Sequence, residues 1–169
     1  MLAVLISLLN TAFWFALHFG IAYLLSLLPD KAQLKLYDYN RPYFRVSEKE
    51  TRRLSRLKVP LWKDRLPQFN ALFDKRHIGE VSAEHIKEFI TVTCQAEIIH
   101  LSIAVLGFLS LLFPVIFNDM DLFPMYLGIA IFIGLCQIPF VLIQRYNRPR
   151  LLRVLKRLTL TPIDKIEQS

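Results

Sequence analysis

Three long runs of apolar residues are separated along the chain by charged or turn-forming stretches. The runs cover about 2–28, 98–117 and 122–143. Because a helix needs about 20 apolar residues to cross the hydrocarbon of a bilayer, each run is long enough to span it. The four residues 118–121 between the second and third runs leave room only for a tight turn. The pattern predicts an all-α integral membrane protein with three spanning helices in a single membrane domain, 1–169.

The first apolar run has a second possible interpretation, as a cleaved signal peptide. Its polar interruptions are the small or neutral residues Asn10, Thr11 and His18, and no basic residue precedes it. A signal peptide has a basic start, a shorter apolar region and a small-residue cleavage site. The run lacks these features, so we expect a retained spanning helix.

The charges of this 169-residue chain are strongly segregated. It has 21 Lys and Arg against 14 Asp and Glu, and every cation lies in 30–97 or 144–169. With 54% hydrophobic residues and a mean hydropathy of +0.37, this distribution excludes a nucleic-acid-binding protein and an ordinary soluble enzyme. The positive-inside rule places both charged segments in the cytoplasm. The turn with its two aspartates, and the N-terminus, are then predicted to lie outside.

The cytoplasmic segment 30–97 contains a predicted amphipathic helix. Ser47 is followed three residues later by Glu50, which is typical of a helix N-terminus. Beyond it, Leu54 and Leu57 alternate with the cations Arg52, Arg53, Arg56 and Lys58. We expect an interfacial helix with its leucines in lipid, and a solvated basic helix remains the alternative.

Two further helices are predicted beside the second and third spans. A helix that begins at Ser82 continues into the second span without a breaker. After the third span, Pro149 between two arginines is expected to interrupt the helix. The tail 144–169 would then resume as a basic amphipathic helix, 151–158, on the membrane surface.

The first cluster with candidate chemistry lies at the cytoplasmic end of the second span. Thr93, Glu97 and His100 share one helix face because they are spaced i, i+4 and i+7. A carboxylate near an imidazole favours a general base, and ionisable groups at membrane depth are costly unless they have a function. The alternative is that Glu97 pairs with an arginine and His100 only reaches toward the interface.

The second cluster follows the third span. It combines two amides, Gln144 and Asn147, with three guanidinium groups, those of Arg145, Arg148 and Arg150. Such groups bind phosphate or carboxylate bidentately. Juxtamembrane arginines also serve as plain topological anchors, but anchoring requires neither amide.

The other polar residues carry weaker signals. Asp74 and His77 form a second acid–base candidate, although a surface turn is the simpler interpretation. His18 is expected to bond a neighbouring helix. Cys94 and Cys136 lack metal-ligand spacing and are interpreted as reduced packing residues, so no metal site is predicted.

Four segments give the chain a family resemblance. They are LWKDRLP at 61–67, LFDKRH at 72–77, CQAEIIH at 94–100 and IPFVLIQRYNRPRL at 138–151. In this order and spacing, from about Trp62 to about Leu158, they resemble the glycosyl-4,4'-diaponeurosporenoate acyltransferase family of small bacterial membrane proteins. The family's named activity attaches a fatty acyl chain to the glucose C6 hydroxyl of a C30 carotenoid glycosyl ester.

The resemblance implies a membrane O-acyltransferase in a bacterial plasma membrane, with its active site on the cytoplasmic side. The expected partners are membrane lipids, a glycolipid or carotenoid glycoside acceptor and a fatty acyl donor, and no cofactor is expected. The donor would be acyl-CoA, acyl-carrier protein or phospholipid. A different class of function, a small membrane adaptor without chemistry, remains the alternative.

In the enzyme hypothesis each candidate residue has a role. His100, oriented by Glu97, removes the proton of the attacking hydroxyl, with His77 as the other possible base. Asn147 or Gln144 stabilises the oxyanion. The substrate contacts are predicted from the second cluster and from the family segments: Gln144, Arg145, Arg148, Arg150, Trp62, Lys63 and His77. Arg145, Arg148 and Arg150 are expected to hold a phosphate of the donor, with Arg148 as the main contact.

Overall fold

The computed structural model describes residues 2–66 and 82–160, and within these ranges it is helical, with no strand. The α-helices are α1 (Leu2–Ser26), α2 (Asp30–Leu36), α3 (Glu48–Arg56), α4 (Val59–Trp62), α5 (Ala83–Leu106), α6 (Leu112–Ile116) and α7 (Phe123–Thr159). Short 3-10 segments lie at Pro42–Phe44, Lys63–Arg65, Gly107–Leu111 and Met120–Leu122.

Three helical segments have the length and apolar composition needed to cross a membrane. They are Leu2–Ser26, Ala83–Ile116 and Met120–Thr159. The all-α fold class and the three predicted spans are confirmed, as is the helix that runs from the residue after Ser82 into the second span. The orientation in the membrane stays a prediction.

The contacts within the chain divide it into two compact units. The apolar unit consists of Met1–Leu36 and Ala96–Val141, and the charged unit consists of Tyr37–Gln95 and Leu142–Ser169. Helices α5 and α7 each contribute residues to both units. The prediction of one membrane domain stays a prediction.

The core of the apolar unit forms along one stripe of α1. The buried residues of this helix are Ile6, Asn10, Trp14 and Ile21, and the spacing places them on one face. Trp14 and Ile21 pack with Ile103 of α5 and Ala130 of α7. Other faces of α1 expose large apolar residues such as Phe19, as expected for a helix that faces lipid.

Two local geometries fix the path of the second span. At Gly107 the backbone comes so close to Trp14 that an added Cβ would lie 2.3 Å from a ring carbon of the indole. At the end of the span, Asn118 has φ 51°, and the N–H of Asp119 donates to the Pro114 carbonyl at 2.9 Å. This is a Schellman C-cap, and it forms the predicted tight turn.

The charged unit has two small cores. Leu54 and Val59 pack with Ile143 and Tyr146 of α7. Ile86 and Ile90 of α5 pack with Leu155 of α7. Both cores hold α7 in place, one before Pro149 and one after it.

The first turn of α3 agrees with the prediction, but one leucine does not. The Ser47 side chain accepts a hydrogen bond from the backbone N–H of Glu50 at 3.1 Å, so Ser47 is the N-cap. The expectation that Leu54 lies in lipid is wrong, because this residue is 3% exposed within a protein core. Leu57 and the arginines of α3 are exposed.

The predicted break at Pro149 is also wrong. Helix α7 is 37 residues long in total, and it continues through this proline to Thr159. A proline inside a helix removes one backbone hydrogen bond and costs about 3 kcal/mol. Burial of Tyr146 before the proline and Leu155 after it, together with the buried Arg148, holds the helix in register across it.

Candidate functional site

The imidazole of His100 on α5 has a defined orientation in the apolar unit. Its Nδ1 lies 2.8 Å from Oε1 of Gln137 on α7, while the Gln137 amide nitrogen donates to the Ile133 carbonyl at 3.3 Å. This second bond fixes which end of the amide faces the ring. Because the carbonyl oxygen only accepts, Nδ1 carries the proton and Nε2 keeps its lone pair. The half-buried His100 is therefore set up to accept a proton at Nε2.

An aromatic ring stacks on His100, and the second histidine of the apolar unit, His18, has a hydrogen bond of its own. Phe140 stacks on the His100 ring, with 4.7 Å between ring centroids and 13° between planes. The ring nitrogen Nδ1 of His18 forms a hydrogen bond with the Trp14 carbonyl at 2.9 Å. The prediction that His18 bonds a neighbouring helix is wrong, because its hydrogen bond is to a carbonyl of its own helix, one turn earlier.

Glu97, the predicted partner of His100, is 1% exposed on α5. Nδ1 of the His100 ring bonds to Gln137 and not to this carboxylate. In the sequence, Gln137 is a polar interruption of the third apolar run, and no role was predicted for it. Its distinguishing signal is that an amide in an apolar helix needs hydrogen-bond partners. The supporting role of Glu97 stays a prediction.

Arg148 forms a buried clamp in the charged unit and has no exposed surface. Its Nε donates to the Thr93 hydroxyl at 3.2 Å, and Nη2 donates to the Thr93 carbonyl at 3.2 Å. Its Nη1 donates to the Phe44 carbonyl at 3.0 Å, and the Phe44 ring lies 5.0 Å from the guanidinium carbon. The hydroxyl of Thr93 in turn donates to the Ile90 carbonyl at 2.6 Å. The guanidinium thereby joins α5, α7 and the Pro42–Phe44 turn.

This burial corrects the expected contact of Arg148 with a donor phosphate. A side chain with no exposed surface cannot reach a phosphate while it holds Thr93 and Phe44. The sequence showed three similar arginines, and only the long-range packing distinguishes the one that is buried. Thr93 and Arg148, from the two predicted clusters, do come together.

Arg145 is also engaged inside the charged unit. Its guanidinium forms a bidentate pair with the Glu50 carboxylate, Nε to Oε1 and Nη2 to Oε2, the latter at 3.1 Å. The hydrogen bond from Arg145 holds the pKa of Glu50 below its ordinary value, against the opposing effect of burial. The charge of Arg148 contributes to the same shift. Glu50 is thus the ion-pair partner of Arg145.

The remaining candidate residues occupy varied positions. Arg150 is exposed and its guanidinium lies 3.8 Å above the Tyr146 ring. Trp62 donates its indole N–H to the Leu57 carbonyl at 3.1 Å and packs on the core that contains Leu54. Half-buried positions are found for Gln144, Asn147 and Lys63.

His77 and Asp74 lie outside the described residues. Within 2–66 and 82–160, no group of three His, Cys, Asp or Glu residues is arranged to hold a metal ion. Cys94 is buried and Cys136 is exposed, and neither forms a disulfide.

Comparison with known proteins identifies the family. A family model described as glycosyl-4,4'-diaponeurosporenoate acyltransferase matches residues 34–157. The chain belongs to this family. A relative of that name from Staphylococcus aureus (strain N315) is 30% identical over 153 residues, which cover 86% of this chain and 87% of the relative.

Other relatives give the same result. The protein of the same name from Staphylococcus aureus (strain USA300) matches with the same identity and coverage. The protein from strain bovine RF122 / ET3-1 is 35% identical over 89 residues, about half of each chain. No solved structure matches the chain. As a member of the glycosyl-4,4'-diaponeurosporenoate acyltransferase family, the protein is an acyltransferase, and the matched range includes His100, Gln137 and Arg148.

Proposed function

We propose that this acyltransferase moves a fatty acyl chain onto a sugar hydroxyl, the glucose C6 hydroxyl, of a glycosyl carotenoid in the bacterial plasma membrane. Family membership carries this proposal, since the relatives are named for a glycosyl-4,4'-diaponeurosporenoate acceptor. The apolar helices support it, because both a carotenoid glycoside and a fatty acyl donor are amphiphiles that reside in membranes. The active site is proposed to face the cytoplasm, as the distribution of cations suggests.

In the proposed mechanism His100 is the general base. Its Nε2 takes the proton of the sugar hydroxyl as the hydroxyl oxygen attacks the carbonyl carbon of the acyl donor. The tetrahedral intermediate then breaks the bond to the leaving group, which receives the proton from the imidazolium. The new sugar ester and the protonated leaving group are the products. No cofactor takes part.

Three supporting roles are assigned to further residues. Gln137 positions the ring, because its carbonyl oxygen accepts from Nδ1–H. Glu97 is proposed to stabilise the imidazolium that forms during the reaction. An amide N–H of Asn147 or Gln144 is proposed to donate to the oxyanion.

Turnover by the purified full chain in nanodiscs tests the proposal. A glucosyl ester of a C30 carotenoid acid and palmitoyl-CoA are the substrates, and the acylated product is detected by mass spectrometry. We expect His100→Ala to lower the rate by a factor of about 10²–10⁴. His85→Ala, a change of an exposed histidine on the same helix, should leave the rate within about twofold. Full activity of His100→Ala would remove this residue from the role of base.

The pH dependence separates a base from a structural histidine. A base has to be neutral to accept a proton, so the rate should fall as acid protonates His100. Gln137→Leu should lower kcat by about tenfold and change the pH profile, because the ring loses its orienting acceptor. Gln137→Glu, which keeps an acceptor, should recover part of the rate. Equal profiles for wild type and Gln137→Leu would show that Gln137 acts only in packing.

A further inference from the structure

The outward face of α7 carries a second set of arginines. Arg150, Arg153 and Arg157 are spaced i, i+3 and i+7, so they lie within an arc of about 60° on the helix. We name them the outer arginines. Together with Val154 they line an open cleft of about 210 Å³ in the charged unit. The stripe exists because α7 continues through Pro149, which keeps Arg150 in helical register with the other two.

The outer arginines differ from Arg145 and Arg148 in what their charges contact. Arg148 has no exposed surface and Arg145 is paired with Glu50, whereas all three outer arginines are exposed. In the part of the chain that the structure describes, no carboxylate forms an ion pair with any of the three. Three guanidinium groups without a carboxylate partner among the described residues therefore line one small cleft.

Two of these side chains are also held in position. The Arg150 guanidinium lies over the Tyr146 ring at 3.8 Å, and Nε of Arg153 donates to the Pro149 carbonyl at 3.3 Å. Such preorganisation lowers the entropy that is lost when a ligand is bound. A topological anchor needs only positive charge and no fixed side-chain geometry.

A phosphoester is the ligand that fits this arrangement. Guanidinium groups bind phosphate oxygens through pairs of N–H donors, and several of them compensate the charge of one phosphate. Val154 adds an apolar wall beside the cations. A cleft of about 210 Å³ accommodates one or two phosphate groups.

We propose that the outer arginines bind a phosphoester group of the acyl donor. This inference rests on the proposed function, and it assigns to the outer arginines the donor contact that the burial of Arg148 excludes. The same chemistry occurs in two sources, the phosphates of acyl-CoA and the phosphodiester of a phospholipid. The experiment distinguishes them.

The test compares two triple variants with equal loss of charge. The first replaces the outer arginines with glutamine, and the control replaces the exposed arginines of α3, namely Arg52, Arg53 and Arg56. In one arm, radiolabelled coenzyme A is titrated onto each full-length protein in phosphatidylcholine nanodiscs. In the other, nanodiscs with phosphatidylglycerol are used, and lipid retained by the purified protein is quantified by mass spectrometry. Thermal unfolding of each variant checks that it is folded.

We expect the outer triple variant to bind one of the two probes at least about tenfold more weakly than wild type, since it loses three charged hydrogen-bond donors. The α3 triple variant should stay within about twofold. Loss in the coenzyme A arm identifies an acyl-CoA donor, and loss in the phosphatidylglycerol arm identifies a phospholipid. Equal weakening in both variants, or no binding of either probe by wild type, would overturn the proposal.

The experiments can reject the phosphate site and the proposed function independently of each other. If wild type binds a probe through the outer arginines but does not acylate the glycosyl carotenoid, the phosphate site stands and the proposed acceptor falls. If turnover occurs and the outer triple variant keeps the wild-type half-saturating donor concentration, the proposed function stands and the phosphate site falls. A rise in that concentration with kcat retained supports both.

Discussion

The apolar unit and the charged unit are each stabilised internally by a different kind of contact. In the apolar unit the tightest constraint is steric: Gly107 leaves room for the indole of Trp14, and no larger residue fits without a shift. In the charged unit it is polar: Arg148 is fully buried and ties two helices and a turn through three hydrogen bonds. The apolar unit depends on a glycine, Gly107, which has no side chain. The charged unit depends on Arg148, which has one of the largest side chains.

The difference follows from the surroundings that each sequence implies. Among spanning helices, lipid is as apolar as a leucine side chain, so association depends on close packing at small residues. The charged segments contain many polar groups that have to be paired wherever they are buried. A buried guanidinium with several acceptors therefore specifies one arrangement of α5, α7 and the turn before α3.

The largest expected effect is at Arg148. Arg148→Gln leaves the carbonyls of Phe44 and Thr93 without their donor, and we expect a loss of about 3–5 kcal/mol in the free energy of unfolding. Denaturant titration in detergent micelles measures this quantity. Arg150→Gln removes an equal charge from an exposed position and should change it by less than about 0.5 kcal/mol. Similar stabilities of the two variants would show that the clamp does not hold the charged unit.

The sequence predicted the features that depend on local signals. Apolar runs identified the three spans, Ser47 and Glu50 marked the start of α3, and the short polar stretch before Met120 marked the turn. The course of α7 past Pro149 was not predicted, because the local sequence contains the proline, which costs a helix about 3 kcal/mol, but not the opposing burial of Leu155. Tertiary packing decided this element, and no short window of sequence contains that information.

The candidate site shows the same limit. His100 was identified from its position in an apolar helix, but its partner Gln137 is 37 residues away, and no spacing rule connects the two. Glu97 was predicted as the partner instead, because a residue three positions earlier on the same helix lies on the same face as His100. In the same way, Phe44 and Arg148 are 104 residues apart, so the burial of this arginine among similar ones was not predictable from the motif.

The second prediction concerns the apolar unit. Gly107→Ala places a methyl group 2.3 Å from the Trp14 ring, and overpacking of this kind costs about 1–3 kcal/mol. Thermal unfolding in detergent should show the loss. Gly128→Ala is the matched control, since nothing lies within 4 Å of its added Cβ and alanine is the better helix former.

A double variant sharpens this result. If the clash with Trp14 is the cause, Trp14→Leu should cost less stability in the Gly107→Ala protein than in wild type. Additive losses would instead place the effect of the methyl group elsewhere in the second span. A lower melting temperature for Gly128→Ala than for Gly107→Ala would contradict the steric account.

The smallest expected effect tests the charge on the polar side of the comparison. Arg145 lowers the pKa of Glu50 from its ordinary value near 4.5, so folding favours the ionised carboxylate. A lowered folded-state pKa stabilises the protein above the unfolded-state value, and this contribution is lost as the pH falls through the folded-state value. The stability that the Glu50–Arg145 pair contributes at neutral pH should therefore be lost in acid, where Glu50 becomes protonated.

Glu50→Gln should reduce the free energy of unfolding at pH 7 by about 1 kcal/mol, since solvent screens this partly exposed pair. The difference between wild type and variant should shrink as the pH is lowered below about 4.5. Glu48→Gln is the control, because the Glu48 side chain is 91% exposed and its ion pair with Arg52 contributes little. A difference that persists unchanged in acid would assign the effect of Glu50 to packing and hydrogen-bond geometry rather than to its charge.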